Sequence, residues 1–220
     1  MEKEVRGWDR PGHDHCCAFS MRVLAIDTAL AVCAAAVLDT ACRVFARCSY
    51  RGATTAEIAR EAGVTEPILY RHFASKQALY LACIETAWQR VRAAWDEAVA
   101  NEPDPGAWTQ AMADAFFEFK EQRSAVAQLW LQALTESGDD PEIRRYLRRH
   151  LRDVHAFVAE VVTRCQAAGA IPAERDPRAE AWIFVAVGLL TAVAGRLGGL
   201  PANDLERIRA ARRAWLSGTG

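Results

Sequence analysis

The residues that could do chemistry gather in one stretch, Thr54-Thr-Ala-Glu-Ile-Ala-Arg-Glu-Ala-Gly-Val-Thr-Glu-Pro-Ile-Leu-Tyr-Arg-His-Phe73. Hydroxyls, an arginine, a histidine and a tyrosine in this density suit contact with a polyanion, since such groups donate to phosphate oxygens and arginine also forks onto base edges. Other clusters carry less. His13, His15, Cys16 and Cys17 are metal-ligand types, but four ligands within five residues crowd a tetrahedral zinc loop, so no metal site is expected. Arg144, Arg145, Arg148, Arg149 and Arg152 read as the solvated face of a helix whose other stripe is Ile143, Leu147, Leu151, Val154, Val158 and Val161. The chain has no Gly-rich phosphate loop, Ser nucleophile elbow or His-Glu-x-x-His motif, so no catalytic residues and no cofactor are expected.

The stretch must be held by elements with a definite geometry. Thr54 and Glu57 form a capping box that starts a helix. Ile58, Ala59 and Ala62 give it a buried stripe, and Gly63 supplies the positive φ of a sharp turn. Thr65 then caps a second helix whose first turn tolerates Pro67. Leu69 and Phe73, at i and i+4, point inward, which leaves Glu66, Pro67, Ile68, Tyr70, Arg71 and His72 facing outward to varying degrees. Two helices so joined form a helix-turn-helix over 54–73, whose second helix enters the major groove of DNA. Across residues 34–76, six basic residues (Arg43, Arg47, Arg51, Arg60, Arg71, Lys76) oppose four acidic ones (Asp39, Glu57, Glu61, Glu66), a local excess of two on a chain of net charge -1.

The rest of the chain reads as helices. No strand-length alternation or hairpin dipeptide occurs, and seven of the eight prolines fall between segments of helical apolar spacing. Helices are expected to end near Cys48, then over 54–62, 65–72, 76–100, 106–121, 124–136, 141–168, 177–197 and 203–216. Asp176-Pro177 supplies a cap, and Gly169 sits where a helix-ending glycine belongs. The 220 residues are 51% hydrophobic and 25% charged, an ordinary globular mix. Seven scattered cysteines fit reduced thiols in a cytoplasmic protein. No uncharged run reaches the roughly 18 residues of a membrane span, so no membrane partner is expected.

Val37-Leu-Asp-Thr-Ala, Phe45-Ala, Ser49-Tyr-Arg-Gly, Thr54-Thr-Ala-Glu-Ile-Ala, Ala62-Gly-Val, Leu69-Tyr-Arg-His-Phe and Ser75-Lys-Gln-Ala-Leu together resemble the TetR family of bacterial repressors over residues 34–90. The resemblance implies an all-α chain: an N-terminal three-helix DNA-binding domain, a connecting fourth helix, and a C-terminal helical domain that binds a small effector and dimerises. On this reading residues 1–20 are a flexible tail with Met21 an alternative start, 21–80 the DNA-binding domain and 81–220 the effector and dimerisation domain. Thr54, Thr65, Tyr70, His72 and Lys76 occupy positions that the family uses for phosphates. Pro67, Ile68 and Arg71 are the candidates for base edges, Ile68 for a thymine methyl and Arg71 for guanine or an adjacent phosphate. Two departures stand out. Ser49 replaces the usual glycine at the end of the first helix and should be strained if its φ is positive. Glu66 replaces a common lysine, implying either a cytosine contact or weaker backbone binding.

The expected function is therefore a ligand-responsive repressor acting as a homodimer on a palindromic operator in double-stranded DNA. Control by a protein partner instead of a small molecule is the alternative. Trp88, Trp95, Trp108, Phe116, Trp130, Phe157 and Trp182 are candidates for a pocket holding an apolar or aromatic effector, although aromatic residues at helical spacing also build plain core. Val187, Leu190, Leu205, Ile208 and Trp215 are candidates for the dimer interface, with Gly188 allowing close helix approach.

Overall fold

The computed structural model describes residues 34–118, 129, 132–133, 140–201 and 203–218, and every regular element among the described residues is helical. The expected tail, His13, His15, Cys16, Cys17, Trp130 and most of the helix expected over 124–136 lie outside the described residues.

Helix α1 covers residues 34–52. It runs past the expected end near Cys48 because Ser49, at φ 66°, turns the chain, and its carbonyl then accepts from Ala53 N at 3.1 Å to close one more turn. The positive φ of the family's usual glycine thus persists with a side chain present. Helices α2 (Thr55–Glu61) and α3 (Glu66–His72) are short, and α4 (Lys76–Asn101) runs 26 residues, roughly 39 Å at the α-helical rise. Ser75 starts α4 by accepting from Ala78 N at 3.0 Å. A 3-10 turn at Pro105–Ala107 leads into α5 (Trp108–Glu118). Helix α6 (Pro141–Ala167) is capped by Asp140 and ends before Gly169 at φ 74°, and α7 (Pro177–Arg196) is capped by Asp176. Helix α8 spans Asp204–Ser217.

Two cores form, and two helices serve both. The first joins Val37, Ala41, Val44 and Phe45 of α1, Ile58 of α2, Leu69 of α3 and Leu79 to Ala87 of α4. It also takes in Leu129, Ala133, Ile143 and Leu147, so the packing that supports the helix-turn-helix does not stop at residue 80. The second core begins at Trp88 and Trp95 and gathers Met112, Val154, Val158, Val161, Ala181 and Leu216. Gln77 Nε2 donates to Asp140 Oδ2 at 2.7 Å, which pins the starts of α4 and α6 together.

Helix α7 has an 18-residue window, Pro177–Ala194, long and apolar enough by composition to cross a membrane, yet only 22% of it is buried here. Arg178 and Glu180 stand at its start, Ala181, Val185 and Ala194 pack inward, and most of the window is half-buried or exposed.

Candidate nucleic-acid interface

The turn between α2 and α3 is built as its residue types require. Thr54 Oγ1 accepts from Glu57 N at 3.1 Å, half of the expected capping box, while Glu57 Oε1 reaches back to Arg47 of α1 at 3.2 Å. Gly63 sits at φ 68° with no heavy atom within 4 Å of where a Cβ would lie, so glycine is needed there for its backbone and not for space. Val64 N donates to Ala59 O at 3.0 Å and closes the corner. The expected cap by Thr65 is corrected: its backbone is extended and its carbonyl accepts from Ile68 and Leu69, but its side chain makes no capping bond. With Pro67 in the first turn there is one backbone donor fewer to satisfy, and Thr65 is exposed to solvent.

Leu69, fully buried, anchors α3, and Phe73 is half-buried beside it. Pro67, Tyr70 and Arg71 are exposed, while Ile68 and His72 are half-buried. Thr55, to which sequence reasoning assigned no role, organises this face: its Oγ1 donates to Glu66 Oε1 at 2.6 Å and lies 3.1 Å from Tyr70 Oη. One hydroxyl on α2 therefore holds both turns of α3. The contact crosses the turn between two helices, where periodicity along either one says nothing, so only the fold could reveal it. Lys76, the first residue of α4, sets its Nζ 4.8 Å above the Tyr50 ring, which packs on Tyr80 at 4.8 Å between centroids.

The local positive excess is redistributed by folding. Arg47 pairs with Glu57 and Glu61 and ties α1 to α2, and Arg90 of α4 pairs with Asp39 of α1. Arg43, Arg51, Arg60 and Arg71 are exposed on this unit.

A second site lies in the other core. A cleft of about 140 Å³ opens between α4, α5, α7 and α8, close in size to cavities that take up a benzene-sized apolar molecule. Trp88, Trp95, Phe116 and Phe184 wall it, with Val187 and Ile208, two residues also expected at the dimer interface. Trp95 sits edge-on to Trp88 and Phe184, at 5.7 and 5.6 Å between ring centroids. Phe157 stacks behind Trp95 at 5.9 Å and is not part of the wall. Trp108 and Trp182 also stand apart from it. Trp108 Nε1 donates to Glu102 O at 2.9 Å beneath Arg164, and Trp182 is exposed and stacked on His155 at 4.2 Å. At the rim, buried Glu180 pairs with Arg212 and accepts from Trp215 Nε1 at 3.0 Å, while Arg209 pairs with Asp114 at 3.0 Å. Leu190 and Trp215 are exposed and Leu205 is half-buried. Gly188 also lines the cleft, with open space at its Cβ position, so it allows no close approach within this chain.

Residues 37–83 match the tetR family of bacterial regulatory proteins, and residues 105–218 match the C-terminal region of BetI-type transcriptional repressors. The chain belongs to the TetR family. Among its relatives are two from Mycolicibacterium smegmatis: the HTH-type transcriptional activator FasR, 36% identical over 88 residues, and the HTH-type transcriptional regulator EthR, 28% identical over 139 residues. The matches span 40% of the FasR chain and 63% of the EthR chain, and the same shares of this one. The fold is that of solved TetR regulators. One from Chloroflexus aurantiacus superposes with a TM-score of 0.73 at 23% identity, covering 86% of this chain and 96% of that one. FadR from Bacillus subtilis, in complex with stearoyl-CoA, superposes with a TM-score of 0.68 at 16% identity over 84% and 98% of the two chains. The family is one of DNA-binding transcriptional regulators, and both of these relatives are named as HTH-type transcriptional regulators or activators.

Proposed function

We propose that this TetR-family protein is a ligand-responsive repressor that binds a palindromic operator as a homodimer in the cytoplasm. The observation that carries the reading is α4, a continuous helix with Lys76 at the DNA-binding end and Trp88 and Trp95 in the wall of the aromatic cleft. A ligand entering the cleft pushes on the same rod that sets the position of α3. It lowers operator affinity only by its differential affinity for the two arrangements.

The ligand is expected to be apolar or aromatic, given the cleft wall, and the stearoyl-CoA complex of FadR supports an effector with an apolar tail. The dimer face is α7 with α8: Trp182, Ile183, Leu190 and Val193 on α7, and Leu197 just past its end, are all exposed, an apolar stripe that a single chain leaves in water. Thr54, Thr65, Tyr70, His72 and Lys76 contact phosphates, and Pro67, Ile68 and Arg71 meet base edges.

The test is selection of sheared genomic DNA by the purified protein at moderate salt, with Arg71→Ala alongside. The expected result is one enriched palindrome that the variant loses. No enrichment over the variant, with ligand-free refolded protein, overturns the reading. A second reading, transcriptional activation, is favoured by the likeness to the activator FasR. A promoter fusion in a deletion strain separates the two by the sign of the change.

A further inference from the structure

Two of the seven cysteines meet across the contact between α1 and α4. Cys42 Sγ lies 3.9 Å from the carbonyl oxygen of Cys83, and Cys83 Sγ lies 3.8 Å from the carbonyl oxygen of Leu38, one turn before Cys42. Each sulfur therefore reaches onto the other's helix. Cys42 is half-buried, whereas Cys83 has no exposed surface. The charged groups around them are Arg90, Arg43 and Asp39, with Arg90 and Asp39 joined in an ion pair across the same two helices.

These surroundings treat the two sulfurs differently. The Cys83 thiol, with Arg90 and Arg43, holds Cys42 below the ordinary thiol range against the opposing effects of burial and Asp39. Burial first, and then the neighbouring Cys42, push Cys83 well above that range. Cys165 shows the contrast: burial lifts it to about 11 with no second sulfur beside it. A partly exposed, thiolate-forming cysteine next to a buried thiol is the arrangement of an attacking and a resolving cysteine.

We propose that Cys42 and Cys83 form a peroxide-responsive redox site that closes a reversible disulfide between α1 and α4. The Cys42 thiolate attacks one oxygen of hydrogen peroxide, the O–O bond breaks, and the departing hydroxide takes a proton to leave as water. Cys42 is then a sulfenic acid. The Cys83 sulfur attacks the Cys42 sulfur, the S–O bond breaks, and the leaving hydroxide takes up the Cys83 proton as a second water. Two thiols lose two electrons and one peroxide gains them, and a thiol reductant reverses the reaction. The bridge would close over 41 residues of sequence separation, enclosing α2 and α3. It would fix the helix-turn-helix against the rod that leads to the aromatic cleft.

The experiment treats the reduced full chain with equimolar hydrogen peroxide and maps non-reduced tryptic peptides by mass spectrometry. The expected result is a Cys42–Cys83 linked peptide, loss of two titratable thiols, and return of both with dithiothreitol. Cys83→Ser should leave Cys42 as a sulfenic acid trapped by dimedone, and Cys42→Ser should slow thiol loss at least tenfold. Oxidation that falls first on Cys16, Cys17 or Cys48 without the linked peptide overturns the proposal. So does thiol loss in Cys42→Ser at the unmodified rate, a readout that does not depend on Cys83→Ser folding.

Discussion

Arg71 and Lys76 stand five residues apart and should fail differently. Arg71 is exposed on α3 and is proposed to meet a base edge, so Arg71→Ala is expected to cost about 1–3 kcal/mol on the best operator and to relax preference at one position. Lys76 is a point charge held over Tyr50, so Lys76→Ala should weaken all DNA alike and lower the salt slope by about 1. Binding titrations at several salt concentrations, on operator and scrambled DNA, separate the two. His150 makes a pH prediction at the same scale. It is buried edge-on to Trp88 at 5.5 Å between ring centroids, and desolvation holds its pKa below the ordinary 6.5. The folded state thus favours the neutral ring. Above pH 6.5 both states are neutral and the full stability is present; as pH falls below 6.5 the unfolded chain takes up the proton first, and stability is lost down to the folded pKa. Thermal melts from pH 7.5 to 5.5 should show a smaller loss in His150→Gln, and parallel curves for the two proteins would contradict it.

At the scale of elements, two of the positive-φ turns flank α2 in the helix-turn-helix unit, one with a side chain and one without. Ser49 at φ 66° replaces a conformation that glycine adopts freely, so Ser49→Gly should stabilise by up to about 1 kcal/mol, offset in part by its 3.4 Å bond from Gly52 N. Gly63→Ala should destabilise by about 1–2 kcal/mol. Its Cβ meets open space, so the whole cost is backbone strain at the corner that aims α3. Opposite signs in urea melts are the check; a stabilising Gly63→Ala would mean that α3 is not aimed by this turn.

For the whole molecule, the question is what covers α7. Leu190 is exposed and lies outside the cleft, so Leu190→Glu tests the dimer face without touching the ligand wall, whereas Val187 does both. Sedimentation should show a monomer whose operator binding falls steeply, because two recognition helices must span about 34–36 Å of DNA or a multiple of it together. A dimer that survives the charge moves the interface elsewhere.

The all-helical fold and the helix-turn-helix could be read from local signals: Thr54 with Glu57, Gly63, Pro67, and the stepping of Leu81, Ile84, Trp88, Val91 and Trp95. Caps, positive-φ turns and amphipathic stripes act over one to seven residues, so the chain displays them before it folds. The sequence also placed Trp88, Trp95 and Phe116 among the candidates for the aromatic cleft, but offered Trp108, Phe157 and Trp182 on equal terms, because helical spacing says which face is apolar and not what it faces. Tertiary structure alone decided that Thr55 braces Glu66 and Tyr70, that Ile143 and Leu147 complete the DNA-binding core, that Glu180 is buried against Arg212, and that Cys42 meets Cys83. Each of these joins residues at least 11 positions apart and on different helices, where only the packing of one helix against another sets the distance.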